Sequence, residues 1–244
     1  MKTITICNQK GGCGKTATAA ALAAGLAGRA FHVLAVDTDG QHSLTMICGA
    51  LPGPTLTDVI TGRATAAATI QHTTQGFDIL PGDLALSTLP QNYRLDTLRG
   101  ILAGIASKYD YCIIDTPPAL SRMTMSALVA AQDVILPAAP DVLSLYGIDQ
   151  AAETLEAIRP YNSALRVGIL LTQFDNRRTL ARTMKDTITV RAQAMGATVY
   201  AQTIRAGVAV PESHLLKQNL FVTAPRAGVT QDYNAFIDEY LKGE

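Results

Sequence analysis

The sequence contains no tryptophan, and aromatic residues account for only 5% of its 244 positions. It has no net charge either, with 20 basic residues balancing 20 acidic ones. Each apolar run is cut by Gly, Thr or Pro before it reaches bilayer length, so no membrane-spanning segment is expected. The N-terminal residues Met1–Gln9 run from a short apolar segment straight into a glycine loop, which reads as a strand and not as a signal peptide. Four cysteines (Cys7, Cys13, Cys48 and Cys112) are scattered without C-x-x-C spacing. That spacing points away from a metal site and to structural thiols of a reducing compartment. The histidines His32, His42, His72 and His214 likewise form no ligand spacing.

What the chain has instead is aliphatic bulk. Apolar residues make up 48%, much of it Ala, Val, Ile and Leu, which suits helices packed closely on a buried sheet. Apolar runs bounded by turn residues predict strands at Ile4–Cys7, Val33–Val36, Phe77–Leu80, Tyr111–Ile114, Val134–Leu136 and Val167–Leu171. Helical stretches between most of them predict an α/β fold: a mostly parallel, twisted sheet with helices on both faces. A first helix is expected from Lys15 to about Ala27, with Ala19, Ala20, Ala23, Ala24 and Ala27 forming a small-residue face for close approach to the sheet. Residues 49–76 read as short helices and loops outside the core. No repeat or linker divides the chain, so residues 1–244 are expected to form one domain.

Residues 10–16 read K-G-G-C-G-K-T, directly after a strand and opening the alanine-rich helix. Strand, glycine loop and helix is the context of a P-loop. Glycines let the backbone turn its N–H groups inward as an anion nest, and the helix N-terminus adds favourable dipole. In such a loop Lys15 reaches the β- and γ-phosphates, the Thr16 hydroxyl ligates Mg²⁺, and Gly11, Gly12, Cys13, Gly14 and Ala17 complete the nucleotide cradle. Two further elements follow at strand ends. One is V-D-T-D-G-Q (Val36–Gln41), with Asp37 and Asp39; the other is C-I-I-D-T-P-P (Cys112–Pro118), with Asp115. Acids at the carboxyl ends of strands beside a P-loop are placed to hold Mg²⁺ or orient water.

The loop departs from the standard G-x-x-x-x-G-K-[ST] pattern, with Gln9 at the first glycine position and an extra Lys10 ahead of the glycine pair. This form, N-Q-K-G-G-C-G-K-T, closely resembles the deviant Walker A motif of the ParA/MinD family, and S-A-L-V-A-A-Q-D-V-I-L-P and Y-N-A-F-I-D-E-Y extend the resemblance toward the C-terminus. The resemblance implies a P-loop ATPase using ATP and Mg²⁺, with an ATP-sandwich homodimer in which Lys10 crosses to the phosphates of the other subunit. It implies that Asp39 supports hydrolysis, that Asp37 lies near the metal, and that Asp115 is the Walker B acid contacting Mg²⁺ through water. Catalytic roles thus fall on Lys10, Lys15, Asp39 and Asp115. The chain departs from the family at Ala17, where many relatives carry a second Thr, at Gly40, where Pro is usual, and at His42-Ser43, where Gly-Asn is common. The backbone cradle, Lys15 and Thr16 are all retained. Cys13 occupies a position where the family commonly has a small apolar residue, so it reads as packing and not as a redox group.

Within the family the sequence is similar to short ParA partition ATPases. These are cytoplasmic, nucleoid-associated proteins that bind double-stranded DNA non-specifically as ATP dimers and are released when a ParB-like centromere-binding partner stimulates hydrolysis. A MinD-like membrane ATPase needs a basic amphipathic C-terminal helix, whereas this tail sets Asp232, Asp238, Glu239 and Glu244 against Lys242 alone, so no membrane partner is expected. Nitrogenase-reductase-like relatives need a cysteine pair after Walker B, and no cysteine follows Cys112. Amidoligases on the same fold remain a metabolic alternative. Residues 160–230 carry nine Lys or Arg against three acids, a net of +6 offset by −6 over the rest of the chain. There, Arg178, Arg182 and Lys185 are spaced to share a helix face, with Leu180, Met184 and Ile188 expected to pack beneath. Arg205 and Lys217 are candidates to extend this DNA-facing patch.

Overall fold

The structure, a computed structural model, describes residues 1–90 and 92–243. Glu244 of the acidic tail lies outside the described residues. Eight strands form one sheet: β1 (Lys2–Ile6), β2 (Val33–Asp37), β3 (Gln71–His72), β4 (Asp78–Leu80), β5 (Tyr111–Asp115), β6 (Asp133–Ala138), β7 (Arg166–Leu171) and β8 (Thr198–Val199). Between and after them run helices α1 (Lys15–Ala27), α2 (Ser43–Ile47), α3 (Leu56–Ile60), α4 (Ala66–Thr69), α5 (Thr97–Ala103), α6 (Arg122–Ala130), α7 (Val142–Ile158), α8 (Thr179–Ala194), α9 (Ala209–Leu215), α10 (Leu220–Thr223) and α11 (Gly228–Lys242). The strand order is β3-β4-β2-β5-β1-β6-β7-β8, parallel throughout except for the β3–β4 pair. All six strands expected from the sequence are present within a residue or two. The two that patterning missed, β3 and β8, are two-residue edge strands, too short to show alternation. Residues 49–76 form short helices and loops as expected, but α3 is not peripheral: Leu56 is fully buried.

Period-two alternation sorts the strand side chains between two helical layers. Ile4, Ile6, Ile113 and Leu170 face α1 and α11, whereas Cys112, Ile114, Leu136 and Ile169 face the layer built by α5–α8. Thr5, buried between Ile4 and Ile6, donates its hydroxyl to Ala127 O of α6 at 3.0 Å, so its polar atom is satisfied in the core. Helix α1 is buried on nearly every side, its alanines allowing close contact with the sheet while α11 closes over the other flank. Helix α11 contributes Val229, Tyr233, Phe236, Ile237 and Tyr240 to that contact, so the apolar stripe of the C-terminal helix is consumed internally. Its acids are engaged as well: Asp232 with Arg205, Asp238 with Arg29, and Glu239 with the amides of Ala201 and Gln202. No described helix is long and apolar enough to cross a membrane.

The α1–α11 contact is close enough to demand glycine at one position. A Cβ on Gly25 would stand 2.2 Å from Ile237 Cδ1. Replacing Gly25 by Ala gains about 1 kcal/mol of helix propensity but overpacks the contact at a cost of about 1–3 kcal/mol. Gly25→Ala is therefore expected to destabilise, and Ile237→Val, which removes the offending methyl, to rescue it. A denaturant-based double-mutant cycle checks this: the expected coupling is about 1–2 kcal/mol, and additive effects would show that the two helices simply move apart.

Candidate active site

Parallel pairing brings the carboxyl ends of β1, β2 and β5 to one edge of the sheet, and the register is specific. Ile6 and Asp37 are both direct partners of Asp115. Strand order turns at β1, between β5 and β6, and the loop that follows β1 occupies the crevice there. In that loop Gly12 and Gly14 have φ of +72° and +91°, a region open to glycine and strained for other residues. Gly14 is also the N-cap of α1, which has no side-chain cap and no acid in its first turn. The helix N-terminus thus points its amides and positive dipole end into the loop with no side-chain cap and no first-turn acid to answer them.

The side chains are arranged around that cradle. Lys15 is buried, and its ammonium donates to Lys10 O at 2.8 Å across the loop. Thr16 donates its hydroxyl to Asp115 Oδ2 at 2.8 Å. Thr38 Oγ1 donates to the backbone carbonyl of Asp115 at 2.6 Å, and Thr116 Oγ1 to that of Ile6 at 2.8 Å, so hydroxyls lock the strand ends. Asp37 is fully buried; its Oδ2 accepts from both N–H and Oγ1 of Thr45 at 2.8 and 2.7 Å. Its Oδ1 accepts the Asp39 amide at 3.1 Å, which places Asp39 on the loop above, half-buried. The sequence motifs singled out Asp37, Asp39 and Asp115 and missed Thr45, which lies eight residues beyond Asp37 and carries no signal of its own.

Asp115 is the electrostatic anomaly. Its Oδ1 is buried and, among the described residues, has no hydrogen-bond partner. Burial, reinforced by the neighbouring Asp37 charge, holds its carboxyl well above the usual carboxylate range. Burial also pushes Asp37 up to about 6, although the Thr45 hydrogen bonds oppose the shift. Two adjacent buried acids with one orphaned oxygen call for a cation. Among the described residues no group of three His, Cys, Asp or Glu side chains is disposed to hold a metal alone. A hard cation here would draw on the Thr16 hydroxyl, on water bridging to Asp115 and Asp37, and on oxygens of a ligand in the cradle, which is how Mg²⁺ prefers to bind. The residues present fit Mg²⁺ with a bound phosphate.

Lys10 takes a different direction from Lys15. Its ammonium pairs with the Asp141 carboxylate and lies 3.3 Å from Ser144 Oγ, at the N-terminus of α7. Asp141 is the N-cap of α7, accepting the Ser144 amide at 2.9 Å. Burial pushes the Asp141 carboxyl up, but the Lys10 ammonium and the Ser144 amide outweigh it and hold the group below its ordinary range. Asn8, fully enclosed, joins the two sides by donating to Pro137 O at 2.7 Å and accepting the Lys10 amide at 3.0 Å. Cys13 packs with its Sγ 3.3 Å from Lys10 O, and burial pushes its thiol up, in keeping with packing. The departures from the family pattern have structural settings too. His42 stands at φ +43°, a left-handed position where glycine is the easy residue, and a Cβ on Gly40 would collide with Ser87 Oγ at 1.8 Å.

The basic candidates do not form one surface. Helix α8 begins at Thr179, so Arg178 is its extended N-cap and not a member of the helical face. The expected packing stripe holds in part: Ile188 is buried and Met184 half-buried, but Leu180 is 62% exposed, and Ala181 and Ala192 are buried in its place. The helix is rotated so that small residues approach the sheet, leaving Arg182 exposed and Lys185 half-buried with its ammonium 6.0 Å from the centre of the Phe174 ring. Arg205 and Lys217 lie with the α1–α11 layer, on the opposite face of the sheet from α8. Arg205 is held by Asp232 at 2.7 and 2.9 Å, and Lys217 sits in the left-handed turn after α9 against Gly49.

Because Asp115 is buried without a full set of partners, removing its charge is expected to stabilise the metal-free protein. Asp115→Asn should raise stability by about 1–2 kcal/mol, or about 2–8 °C for a chain of this size, at pH 8 in EDTA. A carboxyl whose folded pKa is raised binds its proton more tightly in the native state, so stability falls as pH rises from its unfolded to its folded value, and the variant's advantage should shrink toward pH 5. Thermal melts check this. A lower melting temperature for Asp115→Asn under these conditions would show that the acid is stabilising without a cation.

Residues 1–167 match the family model described as an AAA domain. The chain is 35% identical to the chromosome partitioning protein ParA of Caulobacter vibrioides, over all of this chain and 95% of that one. It is 32% identical to the chromosome-partitioning ATPase Soj of Thermus thermophilus, covering 99% and 96%. Among solved structures it is similar to cobyrinic acid a,c-diamide synthase from Mycobacterium smegmatis with bound ADP and magnesium, with a TM-score of 0.86, 27% identity, and coverage of 99% of this chain and 94% of that one. A glycine loop opening α1, a buried carboxylate bonded to Thr16 through one oxygen and unpartnered at the other among the described residues, and whole-length likeness to partition ATPases agree, and the chain belongs to the ParA family of ATPases.

Proposed function

We propose that the protein is a partition ATPase that binds Mg-ATP, dimerises around it, coats double-stranded DNA without sequence preference, and hydrolyses ATP when a ParB-like partner engages it. The observation that carries this reading is the buried Asp115 carboxylate, bonded to Thr16 through Oδ2 and unpartnered at Oδ1 among the described residues, beside a P-loop that opens a helix without a side-chain cap. In this reading the loop amides and Lys15 bind the β- and γ-phosphates, and Lys15 leaves Lys10 O to do so. Thr16 is the direct protein ligand to Mg²⁺, and Asp115 and Asp37 act through water. Bound Mg²⁺ supplies neutralisation of the phosphate charge that grows during transfer. Asp39, half-buried above Asp37, orients the attacking water and accepts its proton.

Support for a dimer comes from the rim of the site. The first turn of α7 exposes Val142, Leu143 and Tyr146 at 55–65%, an apolar patch adjoining the Lys10–Asp141 pair. A second copy docking there would cover the patch and give Lys10 a phosphate in exchange for Asp141. The apolar face of α11 is already occupied by α1, which disfavours use of the C-terminal helix on a membrane. With ATP and Mg²⁺, Asp39→Ala is expected to accumulate as a dimer, Lys10→Ala to bind nucleotide but remain monomeric, and Lys15→Ala to bind none. Light scattering after size exclusion, beside titration of a fluorescent ATP analogue, reads these outcomes. A monomeric Asp39→Ala protein at high concentration with saturating ATP would rule out the nucleotide-bridged dimer.

For DNA, the start of α8 is the favoured surface. Arg177, Arg178 and Arg182 crowd the positive end of the helix dipole, an arrangement that disfavours cations and becomes favourable when an anion arrives. Asp175 answers only part of this charge. Each phosphate contact should contribute about −0.9 to the slope of log affinity against log salt. Arg182→Glu combined with Lys185→Glu is expected to weaken ATP-dependent duplex binding and flatten that slope while leaving ATP affinity intact. Unchanged affinity and slope in a salt series of gel shifts would move the DNA surface away from α8.

A further inference from the structure

The P-loop is held from outside by two consecutive residues at the end of β7. Thr172 donates its hydroxyl to Cys13 O at 2.8 Å, and Gln173 donates Nε2 to Gly12 O at 2.7 Å. Along an extended strand neighbouring side chains point to opposite sides, so two in succession cannot both reach the same loop. They do so here because Gln173 leaves the strand conformation: its φ is +52°, a left-handed value unfavourable for a residue with a Cβ. The flanking residues are fixed. Thr172 is buried and its amide bonds to Ala138 O at 2.9 Å, while the buried Phe174 bonds through its amide to Ile204 O at 3.0 Å. The turn at Gln173 is therefore held from both sides, and its result is a side chain swung back onto the glycine loop.

The consequence lies in the loop's carbonyls. An anion nest works only if the N–H groups face the ligand and the carbonyl oxygens face away, because a carbonyl turned inward repels phosphate. Gly11 and Gly12 are exposed, and a Cβ at either would meet nothing within 4 Å, so local packing does not impose that orientation. We propose that Gln173 is a positioning residue for nucleotide binding, its amide fixing the Gly12 carbonyl outward while Thr172 fixes that of Cys13. The strain at φ +52° is the cost of directing that donor at the loop.

This proposal rests on the nucleotide site described above, and the test separates the two. Gln173→Gly removes the donor and the backbone strain together, so it should melt at or above the wild-type temperature yet bind a fluorescent ATP analogue about threefold to tenfold more weakly, the loss of one hydrogen bond. Gln173→Lys keeps a donor of similar reach and should recover part of that affinity. Wild-type affinity in Gln173→Gly overturns the proposal, as does equal weakness in the Gly and Lys variants, since neither would then point to the donor. Lys15→Ala, titrated alongside, isolates the underlying reading. Normal binding by that variant sinks the nucleotide site itself, whereas its failure beside normal binding by Gln173→Gly overturns only the role of Gln173.

Discussion

Asp37 and Asp115 sit side by side, fully buried, at the carboxyl ends of adjacent parallel strands. Two like charges in a medium of low polarity repel strongly, and a carboxylate oxygen without a hydrogen bond adds a desolvation cost. A fold selected for stability alone would not place them there. The surrounding hydroxyls show how the structure manages the conflict: Thr45 holds one acid, Thr16 the other, and Thr38 locks the strand end between them. One oxygen, Asp115 Oδ1, is left without a hydrogen bond among the described residues, and a cation beside Thr16 would complete its coordination. The site is thus stable enough to be built and incomplete enough to bind.

The same economy governs the rest of the crevice. Lys15 and Lys10 are both parked on groups of their own chain, one on a loop carbonyl and the other on the α7 cap. Lys15 bonds to a neutral carbonyl, and Asp141 accepts the Ser144 amide besides pairing with Lys10. Two of the four described non-glycine residues with left-handed φ, His42 and Gln173, lie beside the site, and the turn at Gln173 returns its side chain onto the loop.

Much of this was legible in the primary structure. Strand–loop–helix context, Lys15, Thr16 and the three strand-end acids follow from local patterns, because a P-loop is built from contiguous residues and parallel strands advertise themselves as short aliphatic runs; Lys10 was singled out by family resemblance. The α8 ridge was less legible. Spacing placed Arg178, Arg182 and Lys185 on one face, but helical periodicity does not say where a helix starts or which stripe the sheet accepts. Ala181 and Ala192 won the contact over the larger Leu180 because small side chains permit closer approach. The net charge of residues 160–230 was likewise a sum over two faces of the sheet, and Arg205 is tied to Asp232 of α11, 27 residues away in sequence.

By itself, the sequence determined the fold class, the phosphate loop and the identity of the acids, since each depends on residues near one another along the chain. The tertiary structure alone decided what those groups experience. The register that makes Asp37 and Asp115 neighbours, the pairing of Lys10 with Asp141 and the return of Gln173 onto Gly12 all join segments separated by tens of residues or more, and burial in that assembly leaves Asp115 Oδ1 without a partner among the described residues. Burial, hydrogen-bond supply and electrostatic coupling are properties of that assembled neighbourhood, and no local pattern encodes them.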